Sequence, residues 1–453
     1  MGRPHILVIP YPAQGHVIPF MELSQCLVKQ GFRVTFVNTE YNHERVLNAL
    51  AEKDHLADQI SLVSIPDGME YWEDRNHLGK LTKAIFQVMP GKVEDLINRI
   101  NTSEDEKITC VIADRSMGWA IGLAEKMKIP RAAFWPAAAA QLSMISSIQN
   151  LIDDGIIDND GTPLKNQMFQ LTPAMPAVNT ANLIWACVGD FTTQKIVFDY
   201  MVETNEIVKA ADWIVCNSVY DLEPGAFTFA PNVLPIGPLL ASNRLGDTVG
   251  HFWPEDSSCL KWLDQQPPKS VIYVAFGSFT VFDKTQFQEL ALGLEISCRP
   301  FLWVVRPDIV NETNAYPDGF QERIGTRGRL VGWTSQQKVL SHPSIACFLS
   351  HCGWNSTLEG VCNGFPFLCW PYFADQFLNE GYICDVWKVG LKLNRDKSGI
   401  ITQEEIKNKV EQVLGNEKLK ARASELKEIA MRNVREDGYS SKIFKNFIDW
   451  MKA

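Results

Sequence analysis

The chain has 453 residues, of which 46% are hydrophobic and 21% charged, and its formal net charge is −10. This much apolar material can build large cores, so the composition excludes an intrinsically disordered protein. The acidic balance and the absence of a long basic run argue against a nucleic-acid partner or a polybasic membrane patch. No segment is apolar for long enough to span a membrane, and the opening apolar run is broken by Pro10 and Pro12. We expect a cytoplasmic monomer.

The cysteines argue for a reduced protein without a structural metal. There are eleven, scattered along the chain and mostly placed in apolar runs. No C-x-x-C pair occurs, and the adjacent His351 and Cys352 lack a second ligand pair at the spacing of a zinc site. We predict buried, reduced thiols of a cytosolic protein and no metal centre.

The first half of the chain alternates short apolar runs with amphipathic stretches. Strands are predicted at 5–12, 33–40, 60–68, 107–114 and 131–137, with helices at 17–31, 43–53 and 117–127 and a long helical stretch up to residue 153. Further apolar runs follow at 211–224 and 232–240. This rhythm predicts a parallel sheet covered by helices on both faces.

The second half restarts the same rhythm after a break. Between 241 and 258 the periodicity disappears and Gly, Asn, Asp, Ser and Pro accumulate, which indicates a linker. We therefore predict α/β domains at 1–240 and 259–435. A final helix at 436–453 is expected to pack its apolar face back on the first domain. That face comprises Phe444, Phe447, Ile448 and Trp450.

His16 and Asp114 are the first candidates for chemistry. His16 follows the first predicted strand where loop becomes helix, and Asp114 ends the strand at 107–114. The carboxyl ends of parallel strands share one sheet edge, so these side chains can meet. A histidine there accepts a proton at neutral pH if a second group fixes its tautomer, and Asp114 could be that group. The alternative is that each residue only caps a helix.

Two later segments are candidates for a nucleotide site. The loop with Gly277, Ser278 and Thr280 lets backbone N–H groups approach a phosphate, although ordinary strand-to-helix turns use the same residues. In the second segment, a strand ends at His351 and opens onto a helix that begins near Asn355. A helix N-terminus beside an imidazole suits a diphosphate.

Other side chains of the second segment, 333–376, suit the rest of a sugar nucleotide. Trp333 offers a planar face for a base, and Glu359 can accept hydrogen bonds from ribose hydroxyls. Asp375 and Gln376 bring polar groups to the sheet edge that suit sugar hydroxyls. Each of these side chains has an ordinary structural explanation, as a core residue or a helix cap, but their joint arrangement favours a nucleotide-sugar site.

These 44 residues, with HCGWNSTLEG at 351–360 and the closing Asp-Gln, resemble the C-terminal signature of plant secondary-product UDP-glycosyltransferases. The resemblance extends to Gly15-His16, to Asp114 and to the segment WLDQQPPKSVIYVAFGS at 262–278. It implies the GT-B fold, an α/β architecture of two Rossmann-like domains whose parallel sheets face a cleft. The N-terminal domain would bind the acceptor and the C-terminal domain the UDP-sugar.

The resemblance also implies roles for the matching residues. His16 would deprotonate the acceptor, and Asp114 would orient it and balance its charge. Trp333 would stack on the uracil, with Thr334 and Gln336 nearby, and Glu359 would bind the ribose. The diphosphate would be bound by Ser278, His351, Asn355 and Ser356. The sugar would be bound by Trp354, Asp375 and Gln376. No metal or other cofactor is implied, and UDP-glucose is a co-substrate.

Sugar choice depends on a few positions. Gln376 at the end of the signature is similar to glucose-using members, whereas a histidine there is associated with galactose. Two segments in which this sequence departs from the family pattern bear on the sugar prediction. Thr334-Ser335 replaces the usual Ala-Pro, which leaves the loop less rigid. Pro136 and four alanines stand where many members carry a Ser or Thr near the sugar, so one hydroxyl contact to the sugar is in doubt.

We therefore predict an inverting UDP-glucose-dependent glucosyltransferase that forms β-O-glucosides of small lipophilic plant metabolites, such as flavonoids, phenolics, terpenoids or hormones. The acceptor pocket is expected to use Gln14, Met117, Trp119, Met144 and Phe373. A GT-B sugar-nucleotide epimerase, a transferase using another UDP-sugar, and N-, S- or C-attachment remain alternatives. An NAD-dependent dehydrogenase is disfavoured because no G-x-G-x-x-G follows either opening strand. A non-catalytic nucleotide-sugar sensor would be expected to lack His16 or Asp114.

Overall fold

The computed structural model describes residues 3–50, 60–239, 252–307 and 316–453, with only the backbone for 48–50. These residues form two compact units. The first comprises Met1–Trp253, Phe373–Asp375 and Met431–Ala453, and the second comprises Pro254–Tyr372 and Gln376–Ala430. Most of the predicted linker at 241–258 lies outside the described residues, so the predicted domain boundaries stay a prediction.

The first unit is built on a parallel sheet, as the alternation of apolar runs predicted. Its described strands are β1 (His5–Ile9), β2 (Arg33–Thr39), β3 (Ile60–Ile65), β4 (Cys110–Asp114), β5 (Arg131–Trp135), β8 (Trp213–Cys216) and β9 (Val233–Pro235), in the order β3-β2-β1-β4-β5-β8-β9. Two short strands, β6 (Met168–Phe169) and β7 (Val178–Asn179), pair separately and antiparallel.

Helices cover both faces of this sheet. They are α1 (Gln14–Lys29), α2 (Glu40–Leu50), α3 (Leu78–Ile100), α4 (Gly118–Lys126), α5 (Ala139–Ser146), α6 (Ile148–Asp153), α7 (Phe191–Ile207) and α8 (Pro224–Phe229), with short 3₁₀ turns at Thr180–Asn182 and Val208–Ala210. Successive strand side chains point to opposite faces, so Ile6 and Val8 join one apolar core while Leu7 and Ile9 join the other. Burial on both faces explains why these strands are almost continuously apolar.

The connections of this sheet create a switch in direction between β1 and β4. The chain passes from β1 outward to β2 and β3, and then returns to the other side of β1 to form β4, β5, β8 and β9. In open parallel sheets, ligands bind beyond the carboxyl ends of the strands at such a switch. The loops after β1 and β4 are therefore the expected place for a site.

The second unit repeats this architecture. Its described strands are β10 (Val271–Ala275), β11 (Phe301–Val304), β12 (Gly328–Val331), β13 (Ile345–Ser350), β14 (Phe367–Cys369) and β15 (Gly390–Lys392), all parallel, in the order β12-β11-β10-β13-β14-β15. The direction switches between β10 and β13. The turns after these two strands carry the predicted phosphate-binding residues.

The remaining helices follow the chain order. They are α9 (Ser258–Leu263), α10 (Lys284–Ile296), α11 (Phe320–Ile324), α12 (Gln336–Leu340), α13 (Trp354–Asn363), α14 (Gln376–Gly381), α15 (Gln403–Gly415), α16 (Glu417–Val434) and α17 (Tyr439–Lys452), and a π-helical turn at Tyr382–Val386 continues α14. Within the described ranges, no helix is both long and apolar enough to cross a membrane.

The terminal helix α17 belongs to the first unit. Its apolar face places Phe444, Phe447 and Ile448 in the same core as strands β1 and β2. Trp213 of β8 lies with its ring centroid 5.5 Å from that of Phe447. The end of the chain is thus part of the core of the first unit.

Two long helices were missed by the sequence analysis. Helix α3 contains Pro90 in its interior, a residue that normally ends or kinks a helix. Helix α7 has few fully buried positions, which are Thr193, Phe198 and Thr204, so its apolar stripe is weak. The pattern of apolar residues is least informative where a helix is only partly buried.

Candidate active site

His16 and Asp114 meet at the switch point of the first sheet. The imidazole Nδ1 of His16 lies 2.6 Å from Oδ2 of Asp114. Ile9 of β1 stands beside Ala113 of β4 in the parallel register, which brings the ends of both strands to one level. Side-chain exposure is 26% for His16 and 0% for Asp114. The pair therefore combines a buried carboxylate with an imidazole that is open on its other side.

Helix capping does not account for this arrangement. Helix α1 has Ala13 as its N-cap, with no side-chain cap, and His16 is already inside the helix. Asp114 accepts the N–H of Ser116 on Oδ1 at 2.8 Å, which stabilises the turn after β4 and leaves Oδ2 for His16. Asp114 thus serves the local turn and the imidazole with different oxygens.

The charge of Asp114 makes His16 a stronger base. Burial by itself lowers the pKa of His16, but the charge and hydrogen bond of Asp114, together with the charge of Asp375, more than offset it, so the pKa lies above 6.5. Because Nδ1 faces the carboxylate, the neutral ring carries its proton there and leaves Nε2 as the acceptor. This is the protonation state that a general base requires.

Tyr11 is a neighbour of this pair that the sequence analysis missed. Its backbone N–H donates to Oδ2 of Asp114 at 3.4 Å, and its ring centroid lies 5.3 Å from that of His16. Its hydroxyl hydrogen bonds with that of Thr82 at 3.1 Å. Burial raises the pKa of Tyr11 to about 12, so the phenol stays neutral. Only its place in the loop before His16 hinted at this position.

Arg115, also missed, puts a buried cation directly after Asp114. Burial lowers the pKa of its guanidinium to about 10, against the opposing effect of Asp114, so the side chain remains charged at neutral pH. The guanidinium donates to Oδ1 of Asn205 in α7, and Asn205 in turn donates to the carbonyl of Ile145 in α5 at 2.7 Å. This chain of contacts fixes the cation behind the candidate catalytic carboxylate.

The predicted acceptor-binding residues differ in accessibility. Gln14 is buried and Trp119 half-buried, and among the described residues Oε1 of Gln14 and Nε1 of Trp119 find no hydrogen-bond partner. Met117 lies in the core between the sheet and helices α3 and α4. Met144 is buried in α5 and Phe373 is half-buried. Two of the five positions thus offer polar atoms that a bound molecule could satisfy.

In the second unit, His351 sits at the switch point between two glycines. A Cβ at Gly277 would lie 2.6 Å from its Nε2, and a Cβ at Gly353 would lie 2.5 Å from it. Only glycine leaves room for the ring at both positions. Burial lowers the pKa of His351 to about 4, so the imidazole is neutral at physiological pH. It can offer an N–H to a phosphate, but it brings no positive charge.

The N-terminus of α13 follows directly. Gly353 is its N-cap, and Trp354, Asn355 and Ser356 form the first turn. The first N–H groups of a helix have no partner inside it and attract anions. The indole of Trp354 is buried and packs near Trp387, so a contact of this residue with a sugar would have to come from its main chain.

Glu359 lies one turn farther along and is held by glutamine amides. Gln336 donates to the carboxylate of Glu359 and, at 2.8 Å, to the hydroxyl of Ser356. The Oε1 of Gln336 accepts from the Tyr273 hydroxyl at 3.2 Å. Burial raises the pKa of Glu359 to about 7, although the amides of Gln336 and Gln337 oppose the shift. The structure therefore brings Gln336, Ser356 and Glu359 together.

The remaining predicted donor residues lie on neighbouring turns. Trp333 follows β12 and is half-buried, while the buried hydroxyl of Thr334 lies 3.0 Å from the thiol of Cys259. Ser278 is half-buried after β10. Gln376 begins α14, and its Oε1 accepts the N–H of Tyr372 at 2.7 Å.

Asp375 groups with the first unit. It lies close enough to His16 for its charge to help raise the pKa of that histidine. The structure thus places a residue predicted to bind the sugar near the candidate base. Within the described ranges, no group of three or more His, Cys, Asp or Glu side chains is arranged to hold a metal ion.

Comparison with known proteins identifies the family. Residues 5–433 match the family described as UDP-glucoronosyl and UDP-glucosyl transferase. UDP-glycosyltransferase 83A1 of Arabidopsis thaliana is 48% identical, with 100% of this chain and 98% of the relative covered. Linamarin synthase 1 of Manihot esculenta is 35% identical, with 98% of this chain and 96% of the relative covered.

A solved structure agrees with these relatives. Phytolacca americana UGT2, complexed with UDP-2fluoro-glucose and pterostilbene, superposes with a TM-score of 0.82 at 28% identity, covering 99% of each chain. The two parallel α/β sheets are those of the GT-B fold. The chain therefore belongs to the UDP-glucoronosyl and UDP-glucosyl transferase family and is a UDP-glycosyltransferase of the plant type.

Proposed function

We propose that this enzyme transfers glucose from UDP-glucose to a hydroxyl group of small lipophilic plant metabolites, with inversion, to give β-O-glucosides. The observation that carries the proposal is the 2.6 Å contact between His16 Nδ1 and Asp114 Oδ2 at the switch point of the first sheet. A histidine polarised in this way suits the removal of a proton from a hydroxyl.

The transfer is a single displacement. Nε2 of His16 takes the acceptor's hydroxyl proton as the oxygen attacks the anomeric carbon of glucose. The bond between that carbon and the β-phosphate oxygen breaks, so an α-linked donor yields a β-glucoside and UDP. Asp114 balances the imidazolium that forms. General-base assistance of this kind contributes about 10²- to 10⁴-fold in rate.

The leaving UDP needs charge stabilisation. We assign this task to the first turn of α13, including Asn355 and Ser356, with an N–H from His351. Helix N-termini stabilise developing negative charge without a metal. Ser278 would complete the diphosphate site, Trp333 would stack on the uracil and Glu359 would hold the ribose. We propose that the reaction requires no metal ion.

Glucose is the proposed sugar. Gln376 stands where similar glucose-using enzymes carry glutamine, and it is held across its turn by the N–H of Tyr372. The ligand named for Phytolacca americana UGT2 is a fluorinated UDP-glucose. Both observations favour a glucose donor, with Asp375 and the main chain of Trp354 as further sugar contacts.

The acceptor is proposed to be a small apolar molecule with few polar groups. The relative named linamarin synthase and the neighbour complexed with pterostilbene point to small metabolites. Met144 and Phe373 would supply apolar contacts. Oε1 of Gln14 and Nε1 of Trp119 would each satisfy one polar group of the acceptor, because both are buried without a partner among the described residues.

The experiment is a UDP-release assay with UDP-glucose in EDTA. The acceptor panel contains flavonols, simple phenols, cyanohydrins, terpene alcohols and plant hormones, and products are identified by mass. We expect one UDP released for each glucoside formed, without added metal. His16→Ala serves as the matched control and should abolish most transfer to aliphatic alcohols while UDP still binds.

Other outcomes would point to other functions. A changed sugar in the absence of any acceptor would indicate an epimerase. Products formed only with UDP-galactose or UDP-glucuronate would contradict the role given to Gln376. Recovery of activity only after addition of a divalent cation would contradict the metal-free role of the α13 N-terminus.

A further inference from the structure

Three cysteine thiols meet beneath the proposed diphosphate-binding turn. Cys352 follows β13, Cys369 ends β14, and Cys384 lies in the π-helical turn Tyr382–Val386. The Sγ atoms of Cys384 and Cys369 are 3.6 Å apart, and Cys369 also hydrogen bonds with Cys352.

The three cysteines of this cluster differ in solvent exposure. Cys352 and Cys369 are fully buried, whereas Cys384 is partly exposed. Burial raises the pKa of both buried thiols, which keeps them protonated. A dissolved oxidant therefore meets Cys384 first, with Cys369 in contact behind it. An accessible cysteine with a second thiol in reach is the arrangement that oxidises to a disulfide.

We propose that Cys384 and Cys369 form a reversible disulfide on exposure to hydrogen peroxide and that this bond weakens donor binding. The Cys384 thiolate attacks the peroxide O–O bond to give a sulfenic acid, and the other oxygen leaves as water after protonation. Cys369 sulfur then displaces the sulfenic hydroxyl, whose departure as water takes the Cys369 proton. A dithiol reverses the bond by exchange and is itself oxidised to a disulfide.

The bond would disturb the turn that carries His351. A disulfide requires about 2.05 Å between sulfurs, so Cys369 and Cys384 must approach each other and the hydrogen bond of Cys369 to Cys352 is strained. The carbonyl of Cys352 accepts from the side-chain amide of Asn379 at 2.9 Å, and its φ is +66°, a conformation that non-glycine residues rarely adopt. This turn is close-packed, so a shift in Cys369 passes to it.

The effect on the donor follows from the position of Cys352. It directly joins His351 to Gly353, the N-cap of α13. Misplacement of a group by about 1 Å can lower an enzyme's rate by about 100-fold, and we expect the disturbed turn to weaken UDP binding by about tenfold. This step relies on the proposed diphosphate role of the turn, whereas formation of the disulfide does not.

The test uses the full-length protein. Reduced protein is exposed to hydrogen peroxide, alkylated and digested without reductant, and the cross-linked peptides are identified by mass. UDP affinity is measured by calorimetry before oxidation, after it and after dithiothreitol. We expect a Cys369–Cys384 peptide, an approximately tenfold rise in the Kd for UDP and recovery on reduction. Cys384→Ser and Cys369→Ala should each remain insensitive, whereas the exposed Cys298→Ser control should behave like the wild type.

The outcomes separate the two claims. Absence of the cross-linked peptide in the wild-type protein would overturn the proposal whatever the variants do. A cross-link that leaves UDP affinity unchanged would overturn its effect on the donor. Failure of the reduced protein to bind UDP would instead contradict the proposed function, because no oxidation is involved.

Discussion

At the scale of single residues, the orientation of the candidate base depends on how one carboxylate oxygen of Asp114 is shared. Oδ2 of Asp114 accepts a hydrogen bond from Nδ1 of His16 at 2.6 Å and another from the backbone N–H of Tyr11 at 3.4 Å. These donors fix the carboxylate in an orientation that also fixes the imidazole. A buried charge that is hydrogen-bonded in this way costs much less than an unpaired one.

The pH dependence of the reaction tests whether Asp114 raises the pKa of His16 in this way. The pKa of His16 lies above 6.5 mainly because the charge and hydrogen bond of Asp114 outweigh burial, and only the neutral ring acts as a base. We therefore expect kcat/KM to fall as the pH drops through this raised pKa. Asp114→Asn should move the acidic limb of the profile to lower pH and reduce the maximum by about 10²-fold or more. An unmoved limb in this variant would contradict the assignment.

Tyr11 provides a second test at this scale. The ring stands 5.3 Å from that of His16, where it can stabilise the imidazolium by about 0.5–1 kcal/mol. We expect Tyr11→Leu to lower kcat with alcohol acceptors by about two- to fivefold and to shift the acidic limb downward. Tyr11→Phe keeps the ring and should retain the wild-type profile. Equal losses in both variants would show that the hydroxyl bond to Thr82, not the ring, is what matters.

The sequence predicted some of these residues and missed others for a physical reason. His16 and Asp114 lie at strand ends, which the alternation of apolar runs reveals, and Asp114 is costly there unless paired. Tyr11 and Arg115 matter because folding brings separate segments of the chain close together. The pattern of apolar residues along the sequence does not show which segments will meet. The bond of Gln336 to Glu359 was missed for the same reason.

At the scale of elements, the start of helix α5 depends on a buried carboxylate. Glu223 accepts the N–H groups of Ala139 and Ala140 at 2.8 and 3.0 Å and the hydroxyl of Ser218. It supplies the cap that the alanine run after Pro136 cannot provide. The start of this helix is therefore held by a residue from outside its own sequence.

Removal of this carboxylate should be costly. We expect Glu223→Ala to lower the free energy of unfolding by about 3 kcal/mol, because buried N–H groups lose a charged partner. The exposed Glu206→Ala, which loses only a surface contact with Lys209, should change it by less than about 1 kcal/mol. Chemical denaturation measures both. Equal effects would contradict a capping role for Glu223.

Helix α13 carries the carboxylate of Glu359, whose ionisation should affect donor binding. Burial raises the pKa of Glu359 to about 7, whereas ribose hydroxyls would bind its ionised form. UDP affinity should therefore be highest above about pH 7 and fall as the pH drops through that value. Calorimetry in buffers of different ionisation enthalpy should show proton release on binding near pH 6. Glu359→Gln should bind more weakly and lose the pH dependence, and an unchanged dependence would exclude Glu359 as its source.

The elements themselves were predictable to different degrees. Buried parallel strands are apolar along their length, and the apolar runs found in the first half of the chain contain each described strand of the first unit's main sheet. Helices α3 and α7 escaped because one contains Pro90 and the other buries few side chains. The π-helical turn that holds Cys384 has no sequence signal of its own.

At the scale of the whole molecule, each unit is a parallel sheet whose direction switches beside the candidate residues. The switch lies between β1 and β4 in the first unit and between β10 and β13 in the second. One unit presents a base, and the other presents a helix N-terminus with a neutral imidazole. The order of the strands was not predicted, since an apolar pattern specifies strands but not their neighbours.

The terminal helix should be essential for the stability of the first unit. Phe447 has no exposed surface and packs in the core with β1 and β2. We expect Phe447→Ala to lower the free energy of unfolding by about 3–5 kcal/mol. Lys445→Ala, on the exposed face of the same helix, should have little effect. Thermal unfolding compares them, and similar stabilities would mean that the helix contributes little to the core.

If His16 activates a hydroxyl for inverting glucosyl transfer, its removal should abolish the reaction with an unactivated alcohol. The most direct measurement is proton NMR of the reaction between UDP-glucose and a primary alcohol acceptor, with wild-type enzyme and His16→Ala run in parallel. This role of His16 predicts that the wild-type enzyme forms a β-glucoside, recognised by its large diaxial anomeric coupling, and that the variant forms almost no product. An α-glucoside, or wild-type rates in the variant with the alcohol, would contradict it.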